Sequence, residues 1–547
     1  MVALSVPVLV HPIPLRAPAL RVPMASPHRR YTTLILDLGD VLFSWSSKTN
    51  TPIPPKKLKE ILSSLTWFEY ERGRISQAEC YDRVSSEFSL DAATIAEAFQ
   101  QARDSLRPNE EFLALIRELR QQTHGQLTVL ALSNISLPDY EYIMALDSDW
   151  TSVFDRVFPS ALVGERKPHL GAYRRVISEM HLDPETTVFV DDKLDNVVSA
   201  RSLGMHGVVF DSQENVFQTL RNIFGDPIHR GRDYLRRHAG RLETSTDAGV
   251  VFEENFTQLI IYELTNDKSL ITTSDCPRTW NFFRGKPLFS ASFPDDVDTT
   301  SVALTVLRPP RTLVNSILDE MLEYVDADGI MQTYFDHSRP RMDPFVCVNV
   351  LSLFYEYGRG QDLPKTLEWV YEVLLHRAYI GGSRYYMSAD CFLFFMSRLL
   401  QRITDPAVLN RLRPLFVERM HERVSAPGDS MELAFRILAG SSVGIQFPRD
   451  LEKLLAAQCA DGGWDLCWFY QYGSTGVKAG NRGLTTALAI KAIESAIARP
   501  PSPALSAVSS SKLEVPKPIL QRPLSPRRLG DFLMPWRRAQ REVAVSS

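Results

Sequence analysis

The sequence predicts two modules of different fold class: a doubly wound α/β domain over residues 31–228, then an all-α domain of α/α-barrel type over 246–498. Three observations carry this. In the front half, short apolar runs (Thr33–Leu36, Thr128–Leu132, Val188–Val190) alternate with polar helical stretches. That is how buried parallel strands joined by crossover helices read. Behind residue 246 the strand signal stops, and long amphipathic stretches such as Asp319–Val325, Leu367–His376 and Asp390–Leu400 take over. Glycine-bearing turns recur between them, at Asp326-Ala327-Asp328-Gly329, Gly381-Gly382 and Asp461-Gly462-Gly463-Trp464, as expected of stacked helix pairs.

The remaining segments follow in order. Residues 1–30 contain no acidic residue and several Arg and Pro, and read as a disordered leader. Residues 48–105, between the first two strands, read as a helical insertion containing Trp67, Phe68, Tyr70 and the turn Arg72-Gly73-Arg74. Residues 229–245 are strongly basic and read as a connecting helix or linker. Residues 499–547 are rich in Pro, Ser and Arg, cannot bury enough apolar surface to offset chain entropy, and are expected to be disordered.

Composition narrows the function. A chain of 547 residues allows two to four domains at about 100–200 residues each. A net charge of -4 argues against nucleic-acid binding, which would show a basic bias. The six cysteines form no CxxC pair, and reduced thiols in a cytoplasmic protein are the expectation. No apolar run reaches the roughly 18–20 residues of a membrane span.

Four elements of the front module carry chemistry. Asp37 follows the strand Leu34-Ile35-Leu36, within Asp37-Leu38-Gly39-Asp40. Ser133-Asn134 closes the run Leu130-Ala131-Leu132. Lys167 lies in Glu165-Arg166-Lys167-Pro168, and Asp191-Asp192 follows Val188-Phe189-Val190, with Asn196 beyond. Ligands of open α/β sheets gather at the carboxyl ends of the strands, so these residues can converge. A carboxylate (Asp37) can attack phosphorus, Ser133 and Lys167 can hold the phosphoryl oxygens, and Asp191 and Asp192 can hold Mg2+, a hard ion that prefers oxygen ligands. This set in this order resembles the haloacid-dehalogenase (HAD) superfamily of phosphatases over about 200 residues, and the insertion looks like that family's small helical cap. The resemblance makes Asp37 the nucleophile. Asp37, Asp191, Asp192 and the backbone oxygen of Gly39 become the metal ligands, and Ser133, Asn134 and Lys167 the phosphate binders. One departure stands out: the family's usual second Asp, the general acid two positions after the nucleophile, is Gly39 here, and the acid sits one further on at Asp40. A phosphate leaves as a stabilised anion, whereas a primary alkoxide needs a proton. Hydrolysis of a terminal phosphate is therefore expected to be easier than release of the free alcohol.

In the rear module, Asp295-Asp296-Val297-Asp298-Thr299-Thr300 is the informative stretch. Protonating an alkene needs an un-ionised carboxyl, and burial beside other negative charge raises a carboxyl's pKa. The stretch resembles the catalytic motif of class II terpene cyclases, in which the middle carboxyl donates the proton. That position is Asp298, with Asp296 assisting and Thr299 or Thr300 hydrogen-bonding and orienting the donor. Gln458-Cys459-Ala460-Asp461-Gly462-Gly463-Trp464 resembles the Gln-Trp repeat of the same superfamily, with a weaker copy from Asp328 to Asp336. Aromatic residues that could shelter a carbocation are frequent, including Phe282, Phe293, Tyr334, Tyr385, Tyr386, Tyr470 and Tyr472. For the substrate's diphosphate, Lys478 and Arg482 beside a glycine-rich loop are candidates, as are Arg339, Arg341 and Arg384.

The order of the two modules resembles drimane-type sesquiterpene cyclases, which implies farnesyl diphosphate as substrate and a bicyclic drimenyl or albicanyl diphosphate, or its alcohol, as product. Two alternatives stay open: a cyclase whose front module is an inactive scaffold, and a metabolite phosphatase with a helical interaction domain.

Overall fold

The computed structural model describes residues 31–498 except 147–148, 289–291 and 473–474; the expected leader at 1–30 and tail at 499–547 lie outside the described residues. In the front module, five parallel strands, β1 (Thr33–Leu36), β2 (Thr128–Ser133), β3 (Arg156–Pro159), β4 (Thr187–Asp191) and β5 (His206–Val209), form one sheet in the order β3-β2-β1-β4-β5. The order reverses at β1, so the connections leaving the adjacent strands β1 and β4 run in opposite directions and open a crevice at the strands' carboxyl ends. Nearly every residue of β1, β2 and β4 is buried, which is why these strands read as continuous apolar runs.

Four helices, α1 (Pro55–Leu62), α2 (Leu65–Glu71), α3 (Gln77–Phe88) and α4 (Ala92–Asp104), make the cap. Its own core contains Trp67, Tyr70, Val84, Ile95 and Phe99, with Trp67 stacked on Phe99 at 4.2 Å. Ser76 and Asp91 cap the amino ends of α3 and α4. The cap is tied to the core by Glu71, which accepts from Arg166 Nε at 2.8 Å, while the Arg166 guanidinium lies 3.7 Å over the Phe68 ring. The front module continues with α5 (Glu110–Gln122), α6 (Leu137–Met144), α7 (Leu170–Met180), α8 (Leu194–Ser202) and α9 (Gln213–Phe224).

The rear module contains α10 (Pro227–Arg237), α11 (Phe256–Thr265), α12 (Val297–Leu307), α13 (Arg311–Leu322), α14 (Pro344–Glu356), α15 (Pro364–Leu375), α16 (Ala389–Arg402), α17 (Pro406–Glu422), α18 (Ser430–Val443), α19 (Pro448–Ala456) and α20 (Arg482–Ile497). Six of them, α11, α12, α14, α16, α18 and α20, pack in a closed ring, α20 returning to α11. Helices α10, α15, α17 and α19 lie against this ring, giving an α/α barrel. α12 and α14 are buried along almost their whole length, so they lack a polar face.

Two features go beyond the sequence expectation. The basic stretch read as a connecting helix or linker contains α10, which packs on α20 so closely that a Cβ at Gly231 would fall 2.8 Å from Ile490. Arg232, Arg236 and Arg237 are exposed, Arg232 pairing with Glu494 at 2.6 Å, whereas Arg230 turns inward and donates to Asn222 Oδ1 and Cys459 O at 2.8 Å; the buried Tyr234 and Leu235 were masked by that charge. The rear module also holds a small antiparallel sheet where no strands were expected: β6 (Thr244–Thr246), β7 (Val251–Phe252), β8 (Trp468–Gln471) and β9 (Lys478–Gly480), in the order β8-β9-β6-β7. Strands of two to four residues, drawn from both ends of the module, are too short to show a period.

The Gln-Trp element joins the modules. Gln458 Nε2 donates to Pro227 O (2.9 Å) and Gly462 O (2.8 Å), and Trp464 Nε1 to Leu454 O (2.7 Å). Gln218 and Asn222 of α9 donate to the Gln458 carbonyl at 2.8 and 2.9 Å, so the front module is pinned to this turn. The stretch from Asp328 to Asp336 does not repeat this lock; it follows a tight turn in which Asp326 Oδ1 accepts from Asp328 N and Ile330 N.

Candidate active sites

At the carboxyl edge of the front sheet, Asp37, Ser133, Lys167 and Asp191 are all buried. The fully buried Lys167 Nζ lies 2.9 Å from Asp37 Oδ1 and 2.6 Å from Asp191 Oδ2. Burial alone would strip the ammonium of its proton, but these two carboxylates raise its pKa and keep it charged. Asp37 is raised in turn by burial, with Lys167 opposing. Asn196 Nδ2 and Lys193 N fix the other oxygen of Asp191 at 2.9 Å. Oxygen atoms of Asp37, Asp191 and Asp192 come within 4.8 Å of one another, and Asp192 Oδ1 is buried with no hydrogen-bond partner. Three converging hard oxygens, one of them orphaned, fit a divalent cation such as Mg2+.

Two front-module expectations change in detail. Asn134, expected to bind phosphate, has both amide atoms engaged by the Lys167 backbone: Nδ2 donates to Lys167 O (2.9 Å) and Oδ1 accepts from Lys167 N (2.8 Å). It holds the lysine loop, using one of the two amide protons on Nδ2. Asp40, the acid one position further on, is exposed and in the left-handed region at φ 58°. A Cβ at Gly39 would meet nothing within 4 Å, so the acid is absent for no steric reason.

In the rear module a cavity opens among the amino ends of the inner helices, lined by Phe256 of α11, Asp298 and Thr299 of α12 and Val346 of α14. Phe282, Phe293, Tyr334, Tyr385, Tyr386, Tyr470 and Tyr472 complete an aromatic wall. Asp296 caps α12, its Oδ1 accepting from Thr299 N at 2.6 Å, while its buried Oδ2 has no partner. Asp298, in the first turn of α12, is 6 % exposed. Its Oδ1 accepts from Asn349 Nδ2 at 2.9 Å and its Oδ2 from the Tyr386 hydroxyl at 2.5 Å. Asn349 is fixed from behind: Arg398 Nη1 donates to its Oδ1 at 2.8 Å, and Arg398 Nη2 to Glu263 at 2.7 Å.

These surroundings act on both acids. Burial raises Asp298 to about 6, with Tyr386 and Asn349 restraining the rise. Asp296 is pushed well above the carboxylate range by burial and then by the Asp298 charge. Both acids are thus pushed towards the protonated form.

Several rear-module expectations are corrected. Neither threonine orients Asp298: Thr300 Oγ1 accepts from Trp280 N at 2.9 Å, and Thr299 Oγ1, on the cavity wall, is buried without a partner. Asn349 and Tyr386 take that role. Arg482 is spent on the Gln-Trp turn, paired with Asp461 at 2.8 Å, and Lys478 sits in β9; neither lines the cavity. Arg341 and Arg384 do line it, both exposed and, among the described residues, in no ion pair, whereas Arg339 lies 3.4 Å from Asp336. The sequence reading missed Asn349, Arg398 and Glu263. The available signal was a polar residue inside an apolar helix, Asn349 in Phe345–Phe354 and Arg398 in Cys391–Leu400.

All six cysteines are unpaired, and among the described residues no helix is long and apolar enough to cross a membrane.

Comparison with known proteins agrees with this division. The haloacid dehalogenase-like hydrolase family matches residues 23–204, and the sesquiterpene cyclase astC-like C-terminal domain matches residues 228–357. Drimenol cyclase drtB of Aspergillus calidoustus is 46% identical over 461 residues, 84% of this chain and 87% of that protein. Sesquiterpene phosphatase astK of Aspergillus oryzae is 35% identical over 195 residues, 36% of this chain and 97% of the relative. A HAD-like family hydrolase from Porphyromonas gingivalis matches structurally with TM-score 0.30 and 22% identity, covering 36% of this chain and 99% of that one. A two-module match spanning most of both chains places this protein in the drimenol cyclase family of sesquiterpene cyclases, in which a HAD-like hydrolase domain precedes the cyclase domain.

Proposed function

We propose that the rear module protonates and cyclises farnesyl diphosphate to a drimane-type bicyclic diphosphate, drimenyl or albicanyl, and that the front module removes phosphate to yield the alcohol. The observation that carries this reading is the buried Asp298 carboxyl, held between Asn349 and Tyr386 on an aromatic cavity. Proton transfer from Asp298 to the terminal double bond leaves a carboxylate, and the two hydrogen-bond donors already in place stabilise it as it forms. Asp296, its carboxyl also raised by burial, assists as the second acid. Aromatic faces stabilise the carbocation and exclude water. Arg341 and Arg384 are the cations placed to hold the diphosphate, favoured by the amino ends of α11, α12 and α14.

In the front module, Asp37 attacks phosphorus while Ser133 and Lys167 hold the phosphoryl oxygens; water then hydrolyses the aspartyl phosphate. Asp37, Asp191 and Asp192, with the Gly39 carbonyl, would hold Mg2+, which would neutralise phosphoryl charge. The complete set of nucleophile, lysine and carboxylates favours this over a scaffold role. Six free cysteines fit a reducing, cytoplasmic setting.

The test uses the full chain with farnesyl diphosphate and Mg2+. Wild type should give a cyclised alcohol without added phosphatase, Asp37→Asn a cyclised diphosphate, and Asp298→Asn no cyclised carbon. Cyclised diphosphate from wild type would establish the scaffold alternative; no cyclised carbon from wild type would establish the metabolite phosphatase.

A further inference from the structure

A second cavity, open to solvent, lies where cap and core of the front module meet. Its floor is Leu38 and Gly39, the two residues directly after the nucleophile, and Trp45, Trp67, Phe99 and Ile135 contribute to its walls. Two charged residues reach it, and they satisfy each other: Arg103 Nη1 donates to Asp139 Oδ1 at 2.8 Å, and Asp139 Oδ2 accepts from the Ser136 hydroxyl at 2.5 Å. A sugar or nucleotide leaving group would enter this space with most of its hydroxyls unpaired, at a desolvation cost. A hydrocarbon would lose nothing there and gain by burial.

We propose that this cavity binds the hydrocarbon of a terpenyl phosphate while Asp37 attacks its phosphoryl end, and that Gly39 is a specificity determinant because it leaves that floor open. The proposal rests on the front module being a phosphatase. Its second support is the open space at Gly39, which lines the cavity and where a Cβ would meet nothing within 4 Å. The position that would carry the general acid thus serves hydrocarbon binding. The module selects its substrate by the greasy end it can bury rather than by protonating any alkoxide presented to it.

The experiment measures kcat/KM for phosphate release by the full chain with Mg2+ on glycerol phosphate and on dimethylallyl, geranyl and farnesyl monophosphates. The expected result is a rise of about tenfold or more from dimethylallyl to farnesyl, with glycerol phosphate lowest. Trp45→Ala should flatten the rise through KM. Gly39→Asp, at a position with room for the side chain, should lower the farnesyl-to-glycerol phosphate preference by about tenfold or more. A flat chain-length profile with measurable turnover, or a preference unaltered by Gly39→Asp, overturns the proposal alone. No phosphate release by wild type from any of the four compounds overturns the phosphatase reading and the proposal with it.

Discussion

The Tyr386 hydroxyl lies 2.5 Å from Asp298 Oδ2, joining the loop before α16 to the first turn of α12 inside the barrel. This contact sets the strength of the acid. The hydroxyl stabilises the carboxylate and so restrains the upward pull of burial, which leaves Asp298 near 6. Tyr386→Phe removes the restraint. The falling limb of the cyclisation pH profile, which marks loss of the Asp298 proton, should move to higher pH. The maximal rate should drop about tenfold or more as the acid weakens and loses a stabilised conjugate base. Rates of cyclised product between pH 5 and 9 check this; an unmoved limb would detach Tyr386 from the acid.

Arg398 acts one bond further back. Its donation to Asn349 Oδ1 orients the amide so that Nδ2 faces Asp298. Arg398→Met should lower cyclisation while leaving farnesyl phosphate hydrolysis by the front module within about twofold, and should cost about 1–3 kcal/mol of stability as buried partners lose a bond. Arg398→Lys should recover part of the rate, since it keeps a donor but loses the fork that reaches Asn349 and Glu263 together.

Much of this was legible in the sequence, for identifiable reasons. Strands buried on both faces produce continuous apolar runs, so the front sheet and the acids at its edge were visible, and Asp296 and Asp298 stood out because their motif resembles that of class II terpene cyclases. What was hidden depended on long-range pairing. Asn349 and Arg398 lie 51 and 100 positions beyond Asp298, the latter reaching it only through the former, and no local period relates them. Arg482 misled because a cation beside glycines at a helix start looks like an anion site, while its actual partner, Asp461, belongs to the Gln-Trp turn.

The absent acid at Gly39 should show in a time course. Converting the diphosphate to the monophosphate expels a phosphate that needs no proton; the next step expels an alkoxide that does. With wild-type enzyme and excess Mg2+, cyclised monophosphate should accumulate before alcohol appears. Simultaneous appearance of both, followed by chromatography, would mean that another group protonates the alkoxide.

Glu254 supplies a stability prediction independent of catalysis. It is buried without a cation, accepting from Thr244 Oγ1, Thr257 Oγ1 and Thr257 N, and burial raises it from 4.5 to about 7. A carboxyl raised on folding contributes stability that is complete below its unfolded pKa and is lost as pH climbs through the folded value, here between about 4.5 and 7. Glu254→Gln should remove about 3 kcal/mol of that loss by pH 8. Thermal denaturation should show the variant gaining on wild type as pH rises from 5 to 8; parallel curves would show that Glu254 does not change its ionisation on folding.

Arg341 and Arg384 give the most direct test of how substrate is held. Both line the rear cavity, are exposed, and are in no ion pair among the described residues. Arg341 is kept firmly charged, chiefly by its hydrogen bond to Tyr385, against the desolvation of the site. A charge-assisted bond to a diphosphate oxygen is worth about 1.5–3 kcal/mol, so Arg341→Gln and Arg384→Gln should each raise KM for farnesyl diphosphate by about tenfold or more. The effect on kcat should be smaller, because the diphosphate is bound alike before and during protonation. Lys478→Gln should leave KM unchanged, whereas Arg482→Gln should lower thermal stability by freeing Asp461 and the Trp464 carbonyl. If Lys478→Gln raised KM and the two cavity arginines did not, the diphosphate would lie against β9 and the glycine-rich loop rather than at the mouth between Arg341 and Arg384.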